Sequence, residues 1–191
     1  MPILYIISGC NGAGKTTASF IILPKMLDCY EFVNADEIAR GLSPFQPEKV
    51  ALEAGRIMLQ RINELLDKQE DFAIETTLAT RSYVQTIKKA KEKNFNITLI
   101  YFWLTSPELA IARVKTRVAE GGHHIPEDVI RRRYKKGIQN LFQLFIPICD
   151  YWIIIDNSQK PYIVVAEGQE DQEFSIQNED IWNKLKILSH E

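Results

Sequence analysis

Short apolar runs alternate with longer amphipathic ones along this chain. Ile3 to Ile7 is a compact apolar run ending in a glycine-rich stretch, which predicts a buried strand. Thr16 to Leu27 reads as a helix, with Pro24 placed to bend or end it. Phe32-Val33 predicts a second short strand, closing at Asn34-Ala35-Asp36. Pro47 to Gln69 is a long amphipathic helix whose stripe is Val50, Ala54, Ile57, Ile62 and Leu65. Phe72-Ala73-Ile74 predicts a third strand, followed by a polar turn at Glu75-Thr76-Thr77. A solvated helix over Tyr83 to Lys93 leads to the longest strand, Ile97 to Leu104. Ser106-Pro107-Glu108 reads as N-cap, N1 proline and first-turn acid of the next helix. Gly121-Gly122 breaks that helix, and Ile125-Pro126-Glu127-Asp128 starts another with the stripe Ile130, Tyr134, Ile138, Leu141 and Phe145. Tyr151 to Ile155 is a fifth strand. A hairpin over Pro161 to Glu167 and Phe174 to Ile176, then a helix over Asn178 to Leu188, complete the pattern.

Strands alternating with helices imply βαβ units, so the expected class is α/β: a mainly parallel five-stranded sheet flanked by helices, with a small C-terminal hairpin and helix. In such sheets ligands sit beyond the carboxyl ends of the strands. At 191 residues the expectation is a single domain, residues 1–191. Apolar residues at 46% and charged residues at 25% are globular proportions, and they exclude a disordered chain.

Net charge is −2, which argues against a general nucleic-acid or polybasic membrane binder. Its distribution is uneven. Residues 107–136 hold eight basic and four acidic side chains, whereas residues 167–191 hold two basic and seven acidic. Cys10, Cys29 and Cys149 form no CxxC spacing, so neither a zinc site nor a disulfide framework is suggested, and three unpaired thiols fit a reducing cytoplasm. No apolar run approaches the ~20 residues of a membrane span.

Gly9-Cys10-Asn11-Gly12-Ala13-Gly14-Lys15-Thr16 matches G-x-x-x-x-G-K-[ST] in full, between a predicted strand and a predicted helix. Glycines let backbone N–H groups converge on phosphate oxygens at a helix N-terminus. Gly9, Asn11, Gly12, Ala13, Gly14, Lys15, Thr16 and Thr17 are therefore candidate nucleotide-binding residues. Lys15 reaches the β- and γ-phosphates, and the Thr16 hydroxyl suits Mg²⁺. ATP and Mg²⁺ are the expected cofactors. The loop alone leaves three classes open: a small-molecule kinase, an NTPase or nucleotide-binding module, and a nucleic-acid end kinase.

Two acids close strands. A kinase needs an acid near the γ-phosphate to accept the acceptor's proton, and Asp36 can fill that role. Equally, Asp36 can cap the helix starting near Glu37. Glu75 either helps organise Mg²⁺ or substrate, or bonds its own turn. The basic segment, about 106–146, suits a lid that neutralises charge on a moving phosphoryl group. Arg131 and Arg133 flank its apolar stripe, while Arg132 points nearly opposite and reads as a solvated side chain. His123-His124 lacks the neighbours of a metal site, and the segment lacks interleaved aromatics for stacking bases.

Ser8–Thr17, Val33-Asn34-Ala35-Asp36, Ile74-Glu75-Thr76-Thr77, the segment Arg113–Tyr134 with its Gly-Gly-His-His-Ile-Pro-Glu-Asp, and Asp156-Asn157-Ser158 together resemble the zeta-toxin-like P-loop kinases. The resemblance covers about residues 1–165 and implies a P-loop kinase fold. It implies Lys15 on the ATP phosphates, Asp36 as the base, Glu75 as an active-site acid, Arg117 as a phosphate-stabilising lid arginine and Asn157 on the nucleotide side. The founding toxins phosphorylate UDP-N-acetylglucosamine, so the implied acceptor is a small-molecule hydroxyl, as in a nucleotide sugar, and the implied partner is a small antitoxin. This chain is shorter than those toxins. Their second lid arginine falls near His123 or His124 here, so that either Arg131 or Arg133 replaces it or the role is lost.

Overall fold

The computed structural model describes residues 1–122, 124–170 and 172–190. Its strands are β1 (Ile3–Gly9), β2 (Glu31–Val33), β3 (Phe72–Thr76), β4 (Asn96–Trp103), β5 (Tyr151–Asp156), β6 (Ile163–Gln169) and β7 (Ser175–Ile176). Its α-helices are α1 (Lys15–Met26), α2 (Ala35–Leu42), α3 (Ala51–Lys68), α4 (Ser82–Glu92), α5 (Pro107–Ala119), α6 (Glu127–Asn140) and α7 (Glu179–His190). They surround one sheet of order β2-β3-β1-β4-β5-β6-β7.

The first five strands of that order are parallel, as the βαβ pattern predicts. The hairpin corrects the expected count of five. β6 pairs antiparallel with β5, and β7 with β6, so the sheet runs to seven strands. The order puts β1 between β3 and β4. Ile6 of β1 faces Ile74 on one side and Leu99 on the other, and all three are fully buried. The glycine-rich loop thus leaves the central strand of the five-stranded parallel part of the sheet.

Three local expectations shift. Pro24 does not end α1, which continues to Met26. The 47–69 helix begins as a 3₁₀ turn, Pro47–Val50, before α3. Its buried stripe is Ala54, Met58, Ile62, Leu65 and Leu66, so Met58 takes the place assigned to Ile57, which is 38% exposed. In contrast, Ile130, Tyr134, Ile138, Leu141 and Phe145 are all buried, as the spacing predicts. Ser106 caps α5 as read, its Oγ accepting from Leu109 N at 3.2 Å.

Candidate active site

The phosphate loop is made by backbone. Gly9, Gly12 and Gly14 have φ of 137°, 77° and 85°, a region that side chains other than glycine rarely adopt. Space agrees with torsion at Gly9, where a Cβ would lie 2.1 Å from the Phe102 carbonyl oxygen of β4. The loop closes on itself through Ala13 N to Cys10 O at 3.2 Å, and α1 starts at Lys15 with no side-chain cap. Its first N–H groups are therefore left for an anion.

Lys15 is 6% exposed. Its Nζ donates to Cys10 O at 3.1 Å and lies 3.6 Å from Glu75 Oε1. Glu75 comes from the end of β3, one strand away, and gathers the site. Its carboxylate accepts from Thr16 Oγ1 at 2.8 and 3.1 Å and from Asn34 Nδ2 at 2.9 Å. Burial raises the Glu75 pKa above the usual carboxylate range. The Lys15 ammonium and Thr16 hydroxyl offset this in part, while the charge of Asp36 raises it further. The partners of Glu75 are thus the phosphate loop and Asn34, not residues of its own turn.

Asn34 settles the cap of α2. Its Oδ1 accepts from Asp36 N at 2.8 Å and Glu37 N at 3.4 Å, and its backbone is extended as an N-cap requires. Asp36 therefore does not cap the helix. It stands in the first turn of α2, exposed to solvent, and is near enough to act electrostatically on Glu75, Tyr83 and Arg133. An acid in a first turn also suits the positive end of the helix.

Two further side chains lock the loop. Asn157 follows β5, and its Nδ2 donates to Ala13 O at 2.8 Å while lying where a Cβ on Gly14 would be. Asn11 is 6% exposed, and its Oδ1 accepts from Arg133 Nη1 at 3.1 Å. Burial lowers the Arg133 pKa, opposed by the charge of Asp36. Within the basic segment, then, α6 reaches the phosphate loop through Arg133. Arg117 lies in the last turn of α5, half-buried, with Gly122 folded over its side chain: a Cβ there would sit 2.6 Å from Arg117 Cγ. Arg132 is exposed, as its angular position implies, and with Arg133 and Lys136 it lines a cavity against Thr77, Ala79 and Thr80. His123 lies outside the described residues.

Among the described residues no group of three His, Cys, Asp or Glu could hold a metal ion by itself, and no helix is long and apolar enough to cross a membrane. An oxygen donor pair does exist at Thr16 Oγ1 and Glu75 Oε2, 2.8 Å apart beside the phosphate loop. Hard oxygen donors of this kind, completed by phosphate and water, suit Mg²⁺.

The zeta toxin family model matches residues 1–158. This chain belongs to the zeta toxin family. An uncharacterised protein of Haemophilus influenzae is 34% identical over 127 residues, 66% of this chain and 88% of that relative. The AvrRxo1-ORF1:AvrRxo1-ORF2 crystal structure with sulphate ions superposes at a TM-score of 0.79 and 18% identity, over 97% of this chain. The present chain spans 63% of that one. The toxin–antitoxin system PezAT of Streptococcus pneumoniae gives a TM-score of 0.67 and 17% identity, over all of this chain and 86% of its own. At such identities these likenesses concern the fold.

Of the site residues expected from the sequence, Lys15, Thr16 and Glu75 come together directly, and Asp36 is near enough for its charge to act on Glu75. Asn34 was not singled out by sequence reasoning, although an Asn directly before a helix start is a capping signal. The close approach of α6 to the loop beyond β3 was also passed over. Gly137, in the middle of a helix, was the available sign of a close approach there.

Proposed function

We propose that this protein is a phosphotransferase that moves the γ-phosphoryl group of ATP to a hydroxyl of a small molecule. The observation that carries this reading is the freedom of Asp36. With Asn34 capping α2, an exposed carboxylate is left beside Glu75 and the phosphate loop. A carboxylate free of the capping role is what a base for an acceptor hydroxyl requires.

The loop N–H groups and Lys15 hold the β- and γ-phosphates. To do so Lys15 exchanges its partner Glu75 for phosphate oxygens, and Glu75 and Thr16 are the residues that would hold Mg²⁺. The ion, when bound, supplies charge neutralisation on those oxygens. Asp36 takes the proton of the acceptor hydroxyl. The acceptor oxygen forms a bond to the γ-phosphorus as the bond to the ADP oxygen breaks. Arg133, held at the loop by Asn11, and Arg117 neutralise charge on the phosphoryl group in transit. The segment 106–146 is the lid in this reading, and Asn157 supports the nucleotide side.

Family membership supports two finer proposals: a nucleotide sugar such as UDP-N-acetylglucosamine as acceptor, and a small protein antitoxin as partner. Three buried free thiols support a cytoplasmic setting.

The test is transfer of label from γ-labelled ATP, with Mg²⁺, into the small molecules of a cell extract. Wild-type protein is expected to label a compound other than water or nucleotide. Lys15→Ala should reduce that labelling by at least about 100-fold, because the ammonium leaves the β- and γ-phosphates. Release of label only as inorganic phosphate would contradict the phosphotransferase and leave a hydrolase.

A further inference from the structure

Asparagine, aspartate and serine cap helices about equally well. The cap of α2 therefore does not by itself call for asparagine. What sets Asn34 apart from the other two is the far end of its amide. Oδ1 accepts from the N–H groups of Asp36 and Glu37 at 2.8 and 3.4 Å, while Nδ2 donates to Glu75 Oε2 at 2.9 Å. An aspartate would turn a second acceptor toward that carboxylate, and a serine is shorter and lacks the amide arm.

The sheet sets this contact. β2 and β3 run parallel with Val33 beside Ile74, so the residues that follow, Asn34 and Glu75, leave the strand ends side by side. Asn34 is 5% exposed, and its amide is bonded at both ends. Its carbonyl also accepts from Ile38 N at 3.0 Å, as the first bond of α2. One buried residue therefore fixes the start of the helix that carries Asp36 and holds the acid that lies against the phosphate loop.

Glu75 is held by Lys15, Thr16 and Asn34. In the phosphotransferase reading, on which this inference rests, Lys15 turns to phosphate oxygens and the Thr16 hydroxyl to Mg²⁺. Asn34 is the one of these partners that stays with Glu75 throughout. Groups that orient a metal ligand by hydrogen bonding contribute roughly ten- to a hundredfold to metal affinity. We infer that Asn34 is a positioning residue: beyond capping α2, it sets the Glu75 carboxylate for the ion and ties it to the helix that carries Asp36.

The test separates the cap from the arm. Asn34→Ser keeps a good cap and removes the arm; Asn34→Asp keeps the cap and sets two carboxylates against each other. Affinity for a non-hydrolysable ATP analogue is measured by calorimetry, once with Mg²⁺ and once with EDTA, so no acceptor is needed. Wild type is expected to bind more tightly with Mg²⁺. Asn34→Ser should lose about tenfold or more in Mg²⁺ and less than about twofold in EDTA, where Lys15 and the loop N–H groups hold the phosphates. No loss, equal losses in both conditions, or wild-type binding indifferent to Mg²⁺ overturns the inference.

A second arm follows thermal unfolding without nucleotide in Asn34→Asp, Glu75→Gln and the two combined. A residue that only caps predicts that Asn34→Asp unfolds like wild type. The arm predicts a lower midpoint, recovered in the double variant, where the new amide donates to the new carboxylate. An unchanged midpoint in Asn34→Asp, or no recovery in the double variant, overturns the inference. Failure of the phosphotransferase would show separately, as label released only as inorganic phosphate.

Discussion

The phosphate loop and the basic helix pair face the same cleft but are specified in different ways. The loop is a local device. Three glycines, a lysine and a threonine at fixed spacing fold between one strand and the helix that follows it. Its meaning travels with eight consecutive residues. The cations of α5 and α6 have no such local grammar. Arg131 and Arg133 are two residues apart on one helix, yet one is spent on Glu108 and the other reaches Asn11, more than a hundred residues earlier. What a charged side chain does is decided by the partners that tertiary structure leaves it, whereas the glycines of the loop are called for first by their own backbone torsions.

That contrast can be broken by mutation, and the largest effect is expected in the loop. Gly9→Ala forces a side chain to within 2.1 Å of the Phe102 carbonyl oxygen at a φ of 137°. Both the strand β4 and the torsion resist, so a loss of about 4 kcal/mol or more in unfolding free energy is expected from denaturant titration. A loss under about 1 kcal/mol would mean that the loop adapts and that its backbone does not dictate its shape.

Gly137→Ala is the matching change in the basic region. The clash is milder, 2.7 Å from the Thr77 carbonyl oxygen, and the backbone is helical, where alanine is intrinsically favoured. The expected cost is about 1–3 kcal/mol as helix and loop part, read by denaturant titration. An increase in stability would show that α6 can move away freely and that the cavity is not preformed.

The smallest effect concerns Cys10, inside the loop and 2% exposed. Burial pushes its thiol up to about 11, although Lys15 and Arg113 pull it down. At pH 8 the group is therefore held as the thiol, and the thiolate is the reactive form. Native protein should therefore resist iodoacetamide at that pH and react fully once denatured, as mass spectrometry would show. Because the folded pKa is raised, any stability owed to this group is present at neutral pH and lost as pH rises through about 11. Rapid native alkylation of Cys10 would mean the loop opens without ligand.

These differences also mark what could be read from sequence. The parallel sheet follows from alternating apolar runs, although its strand order does not, and the stripe of Ile130, Tyr134 and Ile138 on α6, continued by Leu141 and Phe145 beyond it, was legible because apolar positions repeat at helical spacing. Met58 in place of Ile57 is a one-residue rotation that apolar neighbours on both sides could not disclose. The continuation of the sheet by β6 depends on a long-range antiparallel pairing with β5, invisible in a single run. In the site, Lys15 and Thr16 were legible from spacing. The convergence of Asn34 and Glu75, 41 residues apart, was not, because it depends on β2 and β3 lying side by side. The same convergence moves the cap of α2 from Asp36 to Asn34.

Asp36→Asn tests the central claim most directly, through the rate of phosphoryl transfer to the acceptor that wild type labels. Asn34 already caps α2, so the substitution leaves the cap intact and should preserve both fold and ATP binding. If Asp36 is the base, transfer falls by roughly 10²–10⁴, about 3–5 kcal/mol of transition-state stabilisation. A variant that binds ATP and transfers the phosphoryl group at the wild-type rate would contradict the account.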